Sequence, residues 1–542
     1  MDSLRGVPRT TSSISNAAYC GLLYWLRVAL TLCATLAAST PAAAQLQVEL
    51  DSKMYTLFPA SKFTDDLGTA SAGTTLLYER VIFQGRIKSP SRSDTIRATL
   101  ELRDVRFTGP VSFDWATFGA DFRGERIHFE KGASLLEASF LGGCQLSDSR
   151  FDGQTTFKRV RFAGDAAFRN NLYTGVTTYI DAEFEGEASF ANSKFDDAAY
   201  FERCLFHRGS SFVDVHFAFG ASFKEGVWHG PAAFGGSRYF SKTYFQDTSF
   251  EAVDFGKARF AGNLSFSRSD MQGEAHFSQT AFLKEAHFDE ARFHSHASFT
   301  NSRFPGRADF QGAVFDDILF LDAHFPGTLD LRHASGPYVD LRPPTTDEAR
   351  RAHDDTTVAA PKVYLQESRF ARMVLDWPTL SGRITTDDTT SVEDLRPVYS
   401  ILRHHLQLQG LDDWAAAAQV EWLDRRLCSL SPSEADWYLL HALDLTTRYG
   451  TQPWRAALFG LGVIILFGLL YLPNRISIRT EGTAFSASLA DCFLLSASAF
   501  VRLGWTRWQV SGPAHGLVVI EGLLGWMTWG LLVASLVALF LR

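Results

Sequence analysis

Four histidines fall close together, at His276, His287, His294 and His296. Imidazole is the side chain most ready to ligate a metal or move a proton near neutral pH. Two pairs of carboxylates stand side by side, Asp196–Asp197 and Asp316–Asp317, the residue type that cleaves glycosidic bonds. Two further acids, Asp491 and Glu521, sit in strongly apolar surroundings near the C-terminus, where an ionisable group points to an ion or proton path. Each chemistry depends on convergence. Metal ligands must meet within a few Å, and adjacent side chains on a strand point to opposite faces.

The elements that position the first two groups follow from an aromatic beat. Phenylalanine recurs at 184, 190, 195, 201, 206, 212, 217 and 223, then Trp228, Phe234 and Phe240. It resumes at Phe245, Phe250, Phe255, Phe260 and Phe266, passes Met271, and runs through Phe277, Phe282, Phe288, Phe293 and Phe299 to Phe325. Steps of five and six fit neither a helix of period 3.6 nor a strand of period 2. They fit a coil of four short faces, stacked as a solenoid. A small residue lies two places before many of these aromatics, as at Ala188, Ala199, Ser210, Ala221, Ala275 and Ala286. With about 22 residues per coil, His276 and His287 point to opposite faces, and only His294 and His296 share one. The histidines therefore read as solvated surface, with no metal or cofactor implied. The paired aspartates diverge, and no nucleophile–base spacing or phosphate loop accompanies them, so the chain does not read as an enzyme.

From Phe107 to Leu331 these residues resemble the Phe-rich variant of the pentapeptide-repeat family, whose unit is a small residue, a polar residue and a central Leu or Phe. That resemblance implies a right-handed quadrilateral β-helix, a mainly β fold. The flanks read as follows: a β cap over 45–100, regular coils over 101–341, a polar loop over 342–362 ("RPPTTDEARRAHDDTTVAAP") and a closing coil over 363–390 with Leu365, Phe370, Leu375 and Leu380 inward. Residues 391–449 turn helical, with Ser391 as a cap and Glu393 in the first turn, and form a connector.

The chain of 542 residues carries 52 basic and 60 acidic side chains, a net charge of −8 that argues against nucleic acid as a partner. Arg5 and Arg9 precede an apolar stretch from Cys20 to Ala38 that is followed by "STPAAAQ", the three parts of a secretory signal over 1–44, cleaved or else retained as an anchor. Cys144, Cys204, Cys428 and Cys492 follow it without CxxC spacing, and a 144–204 bridge is left open.

Residues 450–542 are membrane-like. "AALFGLGVIILFGLLYL" (456–472) and "GLLGWMTWGLLVASLVALFL" (522–541) suit two spans. Between them "AFSASLADCFLLSASAF" (484–500) carries Asp491 and suits a re-entrant or interfacial helix. Two spans around a short helix resemble the two-helix potassium-channel module, and "YGTQPWRAALFGL" and "VVIEGLLGWMTWGLL" carry the resemblance. The connector "PVYSILRHHLQLQGLDDWAAAAQVEW" is similar to the link in proteins that join such modules to pentapeptide repeats. The resemblance implies a homo-oligomer, a tetramer if it forms a pore. It places the filter at Arg502, Leu503, Gly504, Trp505 and Thr506. Here it departs from Thr-x-Gly-Tyr-Gly, with Arg502 at the Thr ligand and Thr506 at the second Gly, which argues against potassium selectivity. Glu521 near the start of the second span reads either as an interfacial acid paired with Arg502 or Arg507, or as a pore or proton-path residue. The signal places the β-helix outside the cell membrane, the inner one where there are two, and Arg475, Arg479, Arg502 and Arg507 inside. The function expected is an oligomeric channel or sensor in the lipid bilayer, coupled to an exported β-helix with an unidentified ligand or protein partner. The alternative is a non-conducting anchored scaffold.

Overall fold

The computed structural model describes residues 46–89, 95–320, 323–342, 362–386, 391–472, 477–480, 483–486, 488–501 and 514–540. The expected signal and filter segments lie outside these residues.

Short strands, mostly of two residues, pair in parallel with the coils before and after; some end on an inward aromatic, as Glu183–Phe184 does, and others begin on an inward small residue, as Ala188–Ser189 does. Phe184 stands opposite Phe162 and Phe206, one coil away on either side. About 12 such turns make a β-solenoid. Parallel register puts like side chains in columns, so Phe162, Phe184, Phe206, Trp228 and Phe250 stack at centroid spacings of 4.4–5.1 Å with planes within 20°. Neighbouring columns meet edge to face, as Phe190 meets Phe201 at 5.2 Å and 81°. Both geometries suit the ring quadrupole. One expected core position is corrected. Tyr239, not Phe240, is buried, because the step from Phe234 is five, and Tyr239 stacks between Phe217 and Phe260 while Phe240 faces solvent.

The corners explain the polar residues between aromatics. Every eleventh residue is left-handed without being glycine: Asp148, Arg159, Asn170, Asp181, Asn192, Arg203, Asp214 and Glu225 have φ of 52–58°. Such a backbone is costly for a side-chain-bearing residue. It is held by the next coil, since the N–H groups of Asp181 and Asn192 donate to the carbonyls of Glu202 and Val213 at 3.0 Å. Along one corner acids and arginines alternate from Glu137 to Glu225, and after the acidic step to Asp247 they resume, giving the pairs Glu137–Arg159, Asp181–Arg203 at 2.6 Å and Asp247–Arg268 at 2.7 Å.

Both ends of the core are covered. Residues 46–100 are not all strand, because α1 (Ala60–Thr69) interrupts them. Ala60, Phe63 and Leu67 recur at helical spacing and are buried, and Phe63 packs on Phe83 and Phe107 at 4.8 and 5.6 Å. At the other end Leu365, Phe370, Leu375 and Leu380 point inward as expected, and α2 (Trp377–Leu380) closes the last coil. The neck follows as α3 (Leu395–Leu408) and α4 (Asp412–Ser429). Ser391 caps its first turn as read, accepting from the Glu393 N–H while Asp394 accepts from the Ser391 N–H. Val398, Tyr399, Leu402 and Leu406 continue the solenoid core without a break. Glu421 fastens the joint. It accepts from Ser381 Oγ at 2.7 Å, Tyr399 Oη at 2.7 Å and Arg425 at 2.9 Å.

Helix α5 (Ala435–Thr447) then leads through a left-handed turn at Arg448, Tyr449 and Gly450 into α6 (Pro453–Leu470). A hairpin, Ser477–Thr480 with Thr483–Ser486, precedes α7 (Leu489–Val501), and α8 (Ala514–Phe540) ends the fold. The hairpin is an element the sequence reading did not contain.

Candidate functional site

The histidines and paired aspartates do not converge. His294 pairs with Asp270 on the preceding coil at 2.8 Å and His296 with Asp317 on the next at 2.7 Å. His276 meets Glu274 at 3.1 Å, and His287 lies between Glu285 and Asp309 at 3.4 and 3.5 Å. Asp196 pairs with Lys194 at 2.7 Å, and Asp197 accepts from the Ala198 N–H at 2.7 Å. No group of three metal-ligating side chains forms among the described residues. Cys144 and Cys204 are buried free thiols, which closes the question of a bridge.

The last three helices do converge. Two, Pro453–Leu470 and His515–Val537, are long and apolar enough to cross a membrane. At 1.5 Å per residue α6 spans roughly 27 Å, close to a hydrocarbon core, whereas α7 reaches only about 20 Å. Helix α7 is seated by glycine notches. A Cβ on Gly468 would collide with the Phe493 ring, and one on Gly460 would stand 2.8 Å from the Phe500 ring. Between these contacts Ser496 Oγ donates to the Ile464 carbonyl at 2.8 Å. The pairs 468/493, 464/496 and 460/500 run in opposite directions, so α7 is antiparallel to α6. On the other side a Cβ on Gly525 would strike the Phe500 carbonyl, and Ser496 donates to Glu521. The pairs 496/521 and 500/525 run in the same direction, so α7 is parallel to α8.

This register sets depth. The end of α7, at Phe500, lies beside Gly525, eleven residues into α8 and about 16 Å beyond its start. The start of α7 falls level with the start of α8. Helix α7 therefore reaches part-way along the bundle, from the side on which α8 begins.

At the centre of the three helices lies Glu521, fully buried. Its carboxyl accepts from Tyr471 Oη at 2.7 Å through one oxygen and from Ser496 through the other. Cys492 Sγ, also buried, lies 3.3 Å from the Tyr471 carbonyl. Glu521 is thus two turns inside α8 rather than near its start, because the helix begins at Ala514, before the apolar run. Arg502 and Arg507, the partners considered for it, lie outside the described residues, as do Leu503, Gly504, Trp505 and Thr506. Asp491 is no interior acid. It is only partly buried and accepts from Ser488 N–H and Oγ at 3.0 and 2.6 Å, while its own N–H donates to Ser488 Oγ at 3.3 Å. This is a capping box, legible as Ser-x-x-Asp before an apolar run.

A family model for pentapeptide repeats matches the chain in nine copies, over residues 180–226 and 277–324. Those two segments of the solenoid carry pentapeptide repeats. No curated protein and no solved structure matches the chain. The matched segments lie within the coils that carry the stacked aromatics, so the pentapeptide beat and the columns are one feature.

Proposed function

We propose that this pentapeptide-repeat protein is a membrane protein whose α6, α7 and α8 form an oligomeric, channel-like module coupled to an exported solenoid. The observation that carries the reading is the depth of α7. A half-length helix, antiparallel to one span and parallel to the next, starting level with that span and stopping midway, is the arrangement of a re-entrant pore loop. The solenoid core running into the neck, and Glu421 fastening it there, provide a stiff link through which a ligand outside would act on the helices. Potassium selectivity is not part of the proposal, since Arg502 and Thr506 replace the residues that line a potassium filter.

That same departure favours a second reading, a non-conducting scaffold anchored by α6 and α8. Ion flux into liposomes bearing the purified chain, with subunit stoichiometry on the same sample, separates the two. Flux from a tetramer that changes with Arg502→Ala is expected of the channel-like module. A monomer without flux overturns it in favour of the scaffold.

A further inference from the structure

Helix α5 is built inside out for a helix in water. Tyr438, Leu439, Ala442 and Leu445 share one face at helical spacing, and three of them are among the most exposed apolar side chains in the described fold, at 62%, 58% and 64%. A surface helix in water turns its charges outward. Here both acids of α5 are ion-paired, the exposed Asp436 with Arg426 of α4 at 3.0 Å and the half-buried Asp444, on the inner side, with Arg448. Arg448 also holds Asp424 of α4 at 2.6 Å. Leu440 and Thr447, on the same inner side, are buried. The outer face carries no Asp, Glu, Lys or Arg, and its one titratable group is the exposed His441, whose ring lies 3.9 Å from that of Trp437.

Its neighbours give that face its occupant. Helix α5 packs against both spans, α6 and α8. The exposed apolar surface of α6 begins just beyond the turn, at Trp454, Leu458 and Leu461, and Trp454 beside Arg455 is the pairing found where a span meets headgroups. A bilayer boundary takes an apolar strip with polar groups at its edge, and Tyr438, Leu439 and Leu445 form such a strip with His441 beside it and Asp436 on the other side of the helix.

We infer that α5 is a membrane-embedded interfacial helix, its Tyr438–Leu439–Leu445 face in contact with lipid acyl chains and its inner face ion-paired to the neck. This rests on the membrane reading of α6 and α8. The helix then does two things at once. It sets the height of the solenoid above the bilayer, and through Asp424–Arg448–Asp444 it carries any movement of α4 to the start of α6.

The test uses the full-length chain in lipid nanodiscs, with Cys428→Ser removing the one exposed thiol among the described cysteines. A nitroxide is attached singly at Leu439→Cys and Leu445→Cys, at Tyr438→Cys as a second site on that face should either fail to fold, and at two references. These are Leu466→Cys on the exposed flank of α6 and Ser433→Cys in the exposed turn before α5. Collision with oxygen is compared with collision with a water-soluble nickel chelate. The expected result is a severalfold excess of oxygen over nickel collisions at 439 and 445, as at 466, and the reverse at 433. Nickel excess at 439 and 445 with oxygen excess at 466 overturns the inference and leaves the spans in place. Shielding from both, with dipolar broadening between labels, makes the face a contact between copies and also overturns it. Nickel excess at 466 removes the membrane reading itself, and this inference with it.

Discussion

His287 shows what the crowded histidines do. Its imidazole is held above the ordinary value of 6.5, first by its hydrogen bond to Asp309, against the opposing effect of burial, and further by the charge of Asp309 and by Glu285. A raised folded-state value means that the pair's contribution to stability is complete below about pH 6.5 and is lost as pH rises through the raised value. An NMR titration is expected to show the His287 midpoint above 6.5 in the native chain and nearer 6.5 in Asp309→Asn, and equal midpoints would dismiss the pairing. Glu521 answers to different physics, because its described partners are neutral hydroxyls. Tyr471→Phe removes one donor and is expected to cost about 0.6–1.7 kcal/mol, the range for a hydrogen bond between membrane helices. Glu521→Ala strands the buried Tyr471 hydroxyl, while Ser496 keeps the Ile464 carbonyl, and it opens a cavity, so about 2–4 kcal/mol is expected, with Glu521→Gln in between. Thermal unfolding in detergent measures all three, and an Ala variant as stable as wild type would mean the carboxyl does not join the helices. The sequence flags Glu521 as an unusual acid, but its partners stand fifty and twenty-five residues away, and no local spacing announces them. Asp491 carried its own answer in the preceding Ser488.

Among the elements, legibility followed the range of the determining contact. A coil repeats every 22 residues because each aromatic must fall on its own column, so the beat is written many times over and survives substitutions such as Trp228 and Met271. The step at 239–240 was misread because both residues are aromatic and only the five-residue count distinguishes them. Helix α1 was missed because it occurs once, with three apolar positions inside a strand-rich stretch. The alternating charges of the corner ladder add a register signal that the aromatics lack. Sliding one strand past its partner by a whole coil would leave the columns filled but set like charges together. For α7 the determining contacts are glycines on other helices. Gly468→Leu leaves no room for the Phe493 ring and is expected to lift α7 off α6. Peptide-level mapping with a membrane-permeant maleimide checks this. Cys428 is expected to react in the wild-type chain, and Cys492 to join it in the variant while Cys144 and Cys204 stay protected. Protection of Cys492 in Gly468→Leu would show that α7 is not held by that notch.

At the scale of the whole molecule, one continuous core and a chain of polar fasteners hold solenoid and neck together, so that on the membrane reading both lie on one side. The solenoid core passes into α3 and α4. Glu421 and Arg425 tie α4 to the closing coil, the latter through the Ile384 carbonyl at 2.5 Å, and Arg448 ties α4 to the turn before α6. Solenoid and neck must therefore share one side, and any exposed neck residue reports for both. Cys428 on α4 is such a residue, and it is the one exposed thiol among the described cysteines. On the proposed reading, an N-terminal signal ahead of the solenoid would place that side outside, with Arg475 and Arg479, past the far end of α6, at the cytoplasmic face. A membrane-impermeant maleimide is accordingly expected to label Cys428 in intact cells, or in spheroplasts where an outer membrane intervenes, and Cys428→Ser to abolish the signal. Labelling only after lysis would put the solenoid in the cytoplasm. Helix α7 would then enter from the outside, which is the orientation of an ordinary potassium-channel loop. The same experiment therefore decides whether a ligand of the solenoid acts from the exterior or from within, and which way the half-length helix faces.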